Sequence, residues 1–156
     1  MEQQYAIELR GITKTFGSVV ANNNVELKVR PGEILALLGE NGSGKTTLMN
    51  MLSGIYKPDS GQIFVDGKEV SIDSPEDAKK LGIGMVHQHF KLVDVFSAAD
   101  NIWMGKDKSG FALKNDRYTQ IEEISRKFGF DIDPKKKVYN MAVSEKQTLE
   151  IIKVLY

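Results

Sequence analysis

Two textures of hydrophobic patterning divide this 156-residue chain. Up to about residue 90, short apolar runs of strand length at residues 6–9, 25–29, 34–38, 62–65 and 83–87 alternate with glycine and proline punctuation. The run at 34–38, Ile-Leu-Ala-Leu-Leu, has no polar interruption, which is the pattern of a strand buried on both faces of a parallel sheet. Two helices are predicted between these runs. One covers residues 47–54 and is stopped by Gly54; the other covers 75–81, with Ser74 as N-cap, Pro75 at the first helical position and Gly82 as its stop. Beyond Gln88 the strand-like runs disappear, and residues 97–104, 117–127 and 144–156 take helical spacing. Ser144 with Gln147 three residues on is a capping-box pattern, followed by Leu149, Ile152 and Leu155 along one face. The expectation is an α/β core with an antiparallel β layer over residues 1–90 and a helical subdomain over 91–156.

Between the apolar run at 34–38 and the helix at 47–54 lies Gly39-Glu40-Asn41-Gly42-Ser43-Gly44-Lys45-Thr46, a complete Gly-x-x-x-x-Gly-Lys-[Ser/Thr] phosphate-binding loop. Small residues let successive backbone N–H groups turn inward as an anion-binding nest, and the helix that opens at Thr47 adds its positive N-terminal end. Lys45 is placed to reach the β- and γ-phosphates of a nucleoside triphosphate, and the Thr46 hydroxyl to ligate Mg²⁺. Strand, loop and helix fall in the order this chemistry requires, so the core is read as a P-loop NTPase with ATP and Mg²⁺ as cofactors. A glycine-rich turn without nucleotide is the plain alternative.

Composition narrows the class. The chain is 41% hydrophobic, enough for a real core, and has no cysteine, so disulfides and thiolate metal sites are excluded. No apolar stretch approaches the ~20 residues that cross a bilayer, and Met1-Glu-Gln-Gln-Tyr5 lacks the basic and apolar regions of a signal peptide. The expected location is therefore cytoplasmic. Formal net charge is zero and evenly divided along the chain, which gives no electrostatic footprint for nucleic acid. Lys135-Lys136-Lys137 reads as a solvated loop. His87 and His89 share one face of an extended segment, but no third metal ligand is in view.

The further segments fall at telling distances from the loop. Phe16 in Lys14-Thr-Phe-Gly17 precedes it, Gln88 follows a short strand-like run forty-three residues past Lys45, and Phe90-Lys-Leu-Val-Asp-Val-Phe96 is followed by Asp100-Asn-Ile102. Over its whole length the chain resembles the ATP-binding subunit of an ABC transporter. The resemblance implies that Phe16 stacks on adenine. It implies that Gln88 is the Q-loop glutamine, contacting Mg²⁺ and the attacking water at a hinge, and so belongs with Lys45 to the catalytic set. It implies that the segment at 90–96 packs against a membrane subunit. His87-Gln-His-Phe-Lys-Leu-Val-Asp94 and Val143-Ser-Glu-Lys-Gln-Thr-Leu-Glu-Ile151 are similar to the often tandem-duplicated subunits that power import of nucleosides or simple sugars. Implied partners are a membrane permease, through it a solute-binding protein, and a second ABC domain as a dimer or tandem pair. The implied place is the cytoplasmic face of the plasma membrane, as a peripheral subunit.

Two departures from the family pattern matter. Its Leu-Ser-Gly-Gly-Gln signature falls on Met141-Ala142-Val143-Ser144-Glu145. Ala142 has no hydroxyl for the γ-phosphate held by an opposing domain, a loss of about 1.5–3 kcal/mol where the bond is to a charged group. The composite site using this signature is therefore expected to be weak or silent. The family's Walker B aspartate and glutamate and its switch histidine lie beyond residue 156, so the chain is expected to behave as an N-terminal fragment, hydrolysis-deficient alone, with apolar surface exposed beside residues 34–38. Weighed against an importer are a non-catalytic ATP-binding module, an ABC ATPase of DNA repair or translation, and a small-molecule kinase. The short spacing from Gln88 to the signature disfavours a repair enzyme, and a kinase leaves Gln88 and the signature-like helix unexplained.

Overall fold

Alternating polar and apolar residues build the first β layer. In the computed structural model, which describes residues 5–87, 90–104 and 114–156, strands β1 (Ile7–Phe16) and β2 (Val19–Val29) form a long antiparallel hairpin. Strand β3 (Ser60–Val65) pairs with the other edge of β1 and β4 (Lys68–Val70) with β3, giving the order β2-β1-β3-β4. The β3–β4 connection is Asp66-Gly67, with φ of 49° and 77°, the two-residue mirror-image turn that suits strand twist. Leu9, Ile12 and Ile63 of the sheet are buried with Leu48, Met51 and Leu52 of helix α1 (Lys45–Leu52), together with Ile72 and with Ala78 of helix α2 (Pro75–Lys80). Burial of each such aliphatic side chain contributes about 1.5–3 kcal/mol. Helix α2 starts as its sequence demands: the Ser74 hydroxyl accepts from Asp77 N–H at 3.2 Å and Pro75 takes the first helical position. These elements belong to one compact unit, Met1–Gly84.

Two expected strands are not formed. Residues 34–38 carry no ladder and are exposed throughout, Ile34 at 99% and Leu38 at 88%. A strand leaves its N–H and C=O groups to a neighbour, and among the described residues no segment pairs with this one. Residues 83–87 are likewise unpaired. Conversely, β1 and β2 run well past their apolar cores, through Thr13, Lys14 and Asn22, because backbone pairing needs no hydrophobic side chain.

The second compact unit, Met85–Tyr156, is helical: α3 (Ala98–Trp103), α4 (Lys114–Lys127) and α5 (Val143–Leu155). Ala98, Ala99, Ile102, Ile121, Val138, Leu149 and Ile152 form its core. Ser97 caps α3 in a reciprocal capping box with Asp100. The expected cap of the last helix is displaced. Helix α5 begins at Val143 with Ala142 in the N-cap position, so Ser144 lies inside the first turn and Gln147 is not the N3 residue. Glu145 takes that role: its Oε2 accepts from Ala142 N–H at 2.7 Å, while Lys136 Nζ donates to both its oxygens at 2.7 and 2.9 Å. The Lys136 ammonium, then the Ala142 N–H, hold the Glu145 carboxyl below its usual range. The carboxylate thus satisfies the Ala142 N–H, while the Ala142 methyl offers no acceptor to the N–H groups of the first turn. No helix among the described residues is long and apolar enough to cross a membrane.

Candidate nucleotide-binding site

The loop between residues 38 and 45 is shaped by glycine geometry. Gly42 and Gly44 take φ of 86° and 85°, and Gly44 is the N-cap of α1. A Cβ at Gly44 would lie 2.1 Å from the Ala21 carbonyl oxygen, so only glycine lets the loop close onto β2. Lys45, the first residue of α1, folds back over the loop. Its Nζ donates to the carbonyls of Gly39 and Glu40, both at 2.7 Å, and to Ser43 Oγ at 3.2 Å. This fixes an ammonium at the head of a helix whose first turn contains no acidic side chain. Positive charge, helix N-terminus and small residues converge as binding of a polyphosphate demands. Asn41 and Thr46 are exposed, and Thr47 is half-buried in the first turn.

Phe16 stands at the end of β1, 43% exposed, opposite Val19 across the hairpin turn. The same hairpin reaches the loop: Lys14 pairs with Asn22, Ala21 touches Gly44, and the buried Asn22 amide approaches the Gly44 carbonyl at 3.4 Å. Phe16 and the glycine-rich loop therefore share one framework. Three partners in it were not legible in the sequence. They are Asn22, Tyr56, whose ring meets Phe16 edge-on at 5.2 Å, and Asp59, which accepts from Lys14 Nζ, Thr15 N–H and Thr15 Oγ1, each at 2.7 Å. Those bonds, Lys14 foremost, pull the Asp59 carboxyl down to about 2.

A magnesium ion would find Thr46 as a hydroxyl ligand. Among the described residues there is no cluster of three acidic or histidine ligands. Gln88, which the resemblance places against Mg²⁺, and His89 lie outside the described residues. In the other unit, Ala142, Val143 and Ser144 are exposed at the start of α5, and Met141 is buried beneath them.

The fold is that of an ATP-binding cassette. A nucleotide-free cassette from an ABC transporter superposes with a TM-score of 0.81 at 21% identity, covering 97% of this chain and 64% of that one. The ADP conformation of a further cassette superposes with 0.84 at 21%, with the same coverage. The ABC transporter family profile matches residues 22–156, and the chain belongs to that family. It is 48% identical over 155 residues to the guanosine import ATP-binding protein NupO of Bacillus subtilis, covering 98% of this chain and 30% of that protein. It is 45% identical to the nucleoside import ATP-binding protein NupA of Lactococcus lactis, covering all of this chain and 31% of that protein. It is 44% identical to the galactose/methyl galactoside import ATP-binding protein MglA of Escherichia coli, covering 96% and 30%. The chain thus spans less than a third of the length of these relatives.

Proposed function

We propose that this chain is the ATP-binding part of an ABC importer that couples ATP binding and hydrolysis to uptake of a nucleoside or simple sugar. The observation that carries the reading is the Lys45 ammonium, pinned by two loop carbonyls and Ser43 at the N-terminus of α1. Phosphate oxygens are stronger acceptors than amide carbonyls, so Lys45 would exchange loop contacts for the β- and γ-phosphates. Backbone N–H groups from Gly42 to Thr47 would bind the remaining oxygens, Thr46 would hold Mg²⁺, and Phe16 would stack on adenine. Mg²⁺ would supply charge neutralisation across the phosphates. Gln88 would position the attacking water, in a reaction where alignment and electrostatics dominate. Support for import comes from relatives named for guanosine, nucleoside and galactoside import. A permease, a solute-binding protein and a second ABC domain are the partners this reading requires, at the cytoplasmic face of the membrane.

Uptake of labelled guanosine and galactose by cells lacking the gene, complemented with wild type or Lys45→Ala, tests the reading. Restoration of one solute by wild type and not by Lys45→Ala is expected. Equal restoration by both forms contradicts it.

A further inference from the structure

The turn that leaves α1 returns to the base-stacking end of β1 and fastens it at four points. Asp59 N–H donates to the Thr13 carbonyl at 2.9 Å. The Asp59 carboxylate accepts from the Thr15 N–H and hydroxyl through Oδ2 and from the Lys14 ammonium through Oδ1. The Tyr56 ring stands edge-to-face on Phe16, centroids 5.2 Å apart and planes at 70°. The Lys14 ammonium, held by Asp59, lies 5.5 Å from the Phe16 centroid. Every residue from Thr13 to Phe16 is therefore bonded or packed to a turn that is covalently continuous with the phosphate-loop helix. Phe16 is more than a third exposed and follows the last irregularity of the β1–β2 register, between Lys14 and Thr15, and the residue the ladder sets opposite it, Val19, is itself exposed.

We infer that Tyr56 and Asp59 are positioning residues for nucleotide recognition: they set the Phe16 ring relative to the phosphate loop and so determine how strongly the base adds to triphosphate affinity. The inference rests on the proposed role of Phe16 as the base-stacking residue. Its physical basis is preorganisation. A ring already held in one orientation loses little freedom when a base stacks on it, whereas a swinging ring gives up part of the stacking energy as ordering entropy. The edge-to-face contact with Tyr56 gives the ring a fixed aromatic neighbour, and the Asp59 bonds fix the backbone from which it projects.

Calorimetry of the intact protein with Mg-ATP and with Mg-tripolyphosphate, which has the phosphates and no base, separates the two contributions. Wild type is expected to bind ATP more tightly than tripolyphosphate, and Phe16→Ala to lose that preference. Tyr56→Ala is expected to weaken ATP about threefold to tenfold and leave tripolyphosphate unchanged. Tyr56→Phe, which keeps the ring, is expected to retain wild-type affinity, and Asp59→Asn to weaken ATP selectively by a smaller factor. Should Tyr56→Ala not fold, Tyr56→Leu removes the aromatic edge and retains bulk. Selective loss of ATP affinity in Phe16→Ala but in neither Tyr56→Ala nor Tyr56→Leu overturns the positioning role alone. Equal losses for ATP and tripolyphosphate in the Tyr56 variants also overturn it, because Tyr56 would then support the whole loop. No effect of Phe16→Ala removes the base-stacking reading and the inference with it.

Discussion

The phosphate loop has two apolar flanks with opposite fates. Downstream, Leu48, Met51 and Leu52 of α1 are buried against the sheet, Leu48 at 3% exposure. Upstream, Ile34 and Leu38 stand in solvent although their run is the most continuously apolar of the chain. The difference lies in the backbone. A helix satisfies its own N–H and C=O groups and needs a surface only for one stripe, whereas a strand must find another strand before its side chains can be covered. Hydrophobicity states a need for burial, and the available hydrogen-bonding partner decides whether it is met.

Paired substitutions turn this contrast into measurements. Leu48→Ala is expected to destabilise the protein by about 2–5 kcal/mol in urea unfolding. Leu38→Ala should stay within roughly 0.5 kcal/mol; comparable losses at both positions would erase the distinction between the flanks. Within the loop, Gly44→Ala should cost roughly 2–4 kcal/mol, because a left-handed backbone and the 2.1 Å approach to Ala21 act together. Gly42→Ala meets no atom within 4 Å and should cost only the backbone strain, about 1–2 kcal/mol. Similar unfolding midpoints for the two variants would show that the loop does not close on β2 as described.

Asp59 supplies a pH-dependent comparison between the turn and the rest of the unit. Its folded value of about 2 lies below the ordinary 3.8, so its contribution is fully present above about pH 4 and is lost as pH falls through 2. The stability difference between wild type and Asp59→Asn should therefore shrink across that window and be constant at higher pH. A difference that stays level down to pH 2 would mean that the carboxylate is not clamped. A small effect is expected in the other unit. Ala142→Ser gives α5 a side-chain cap and should add roughly 0.5–1 kcal/mol in thermal unfolding. The same substitution should raise ATPase activity in the assembled protein if the signature site is weak for want of that hydroxyl, and an unchanged rate counts against that explanation.

What the sequence revealed follows the range of each interaction. The phosphate loop, the Ser74-Pro75 start of α2 and the helical texture after residue 90 are local signals, carried within a few residues. Ser144 looks like the cap of α5 on local grounds, whereas the helix starts from Ala142, two positions earlier, where Glu145 accepts from the Ala142 N–H and is held by Lys136. The Asp66-Gly67 turn is a local signal as well, since an Asp-Gly pair between extended residues is a hairpin signal. Asp59 was not legible: its partners lie more than forty residues upstream, and no local pattern marks an aspartate that will clamp a distant strand. The exposure of residues 34–38 depends on a neighbour, which an apolar run cannot specify.

Under the proposed function, Lys45 and its loop hold a nucleoside triphosphate. Isothermal calorimetry with Mg-ATP, comparing wild type with Lys45→Ala at equal thermal stability, addresses it directly. Saturable binding by wild type, weakened at least about tenfold in Lys45→Ala by loss of a charge-assisted phosphate contact, is the expected result. Equal affinity in the two forms, or no binding by folded wild type, would contradict it.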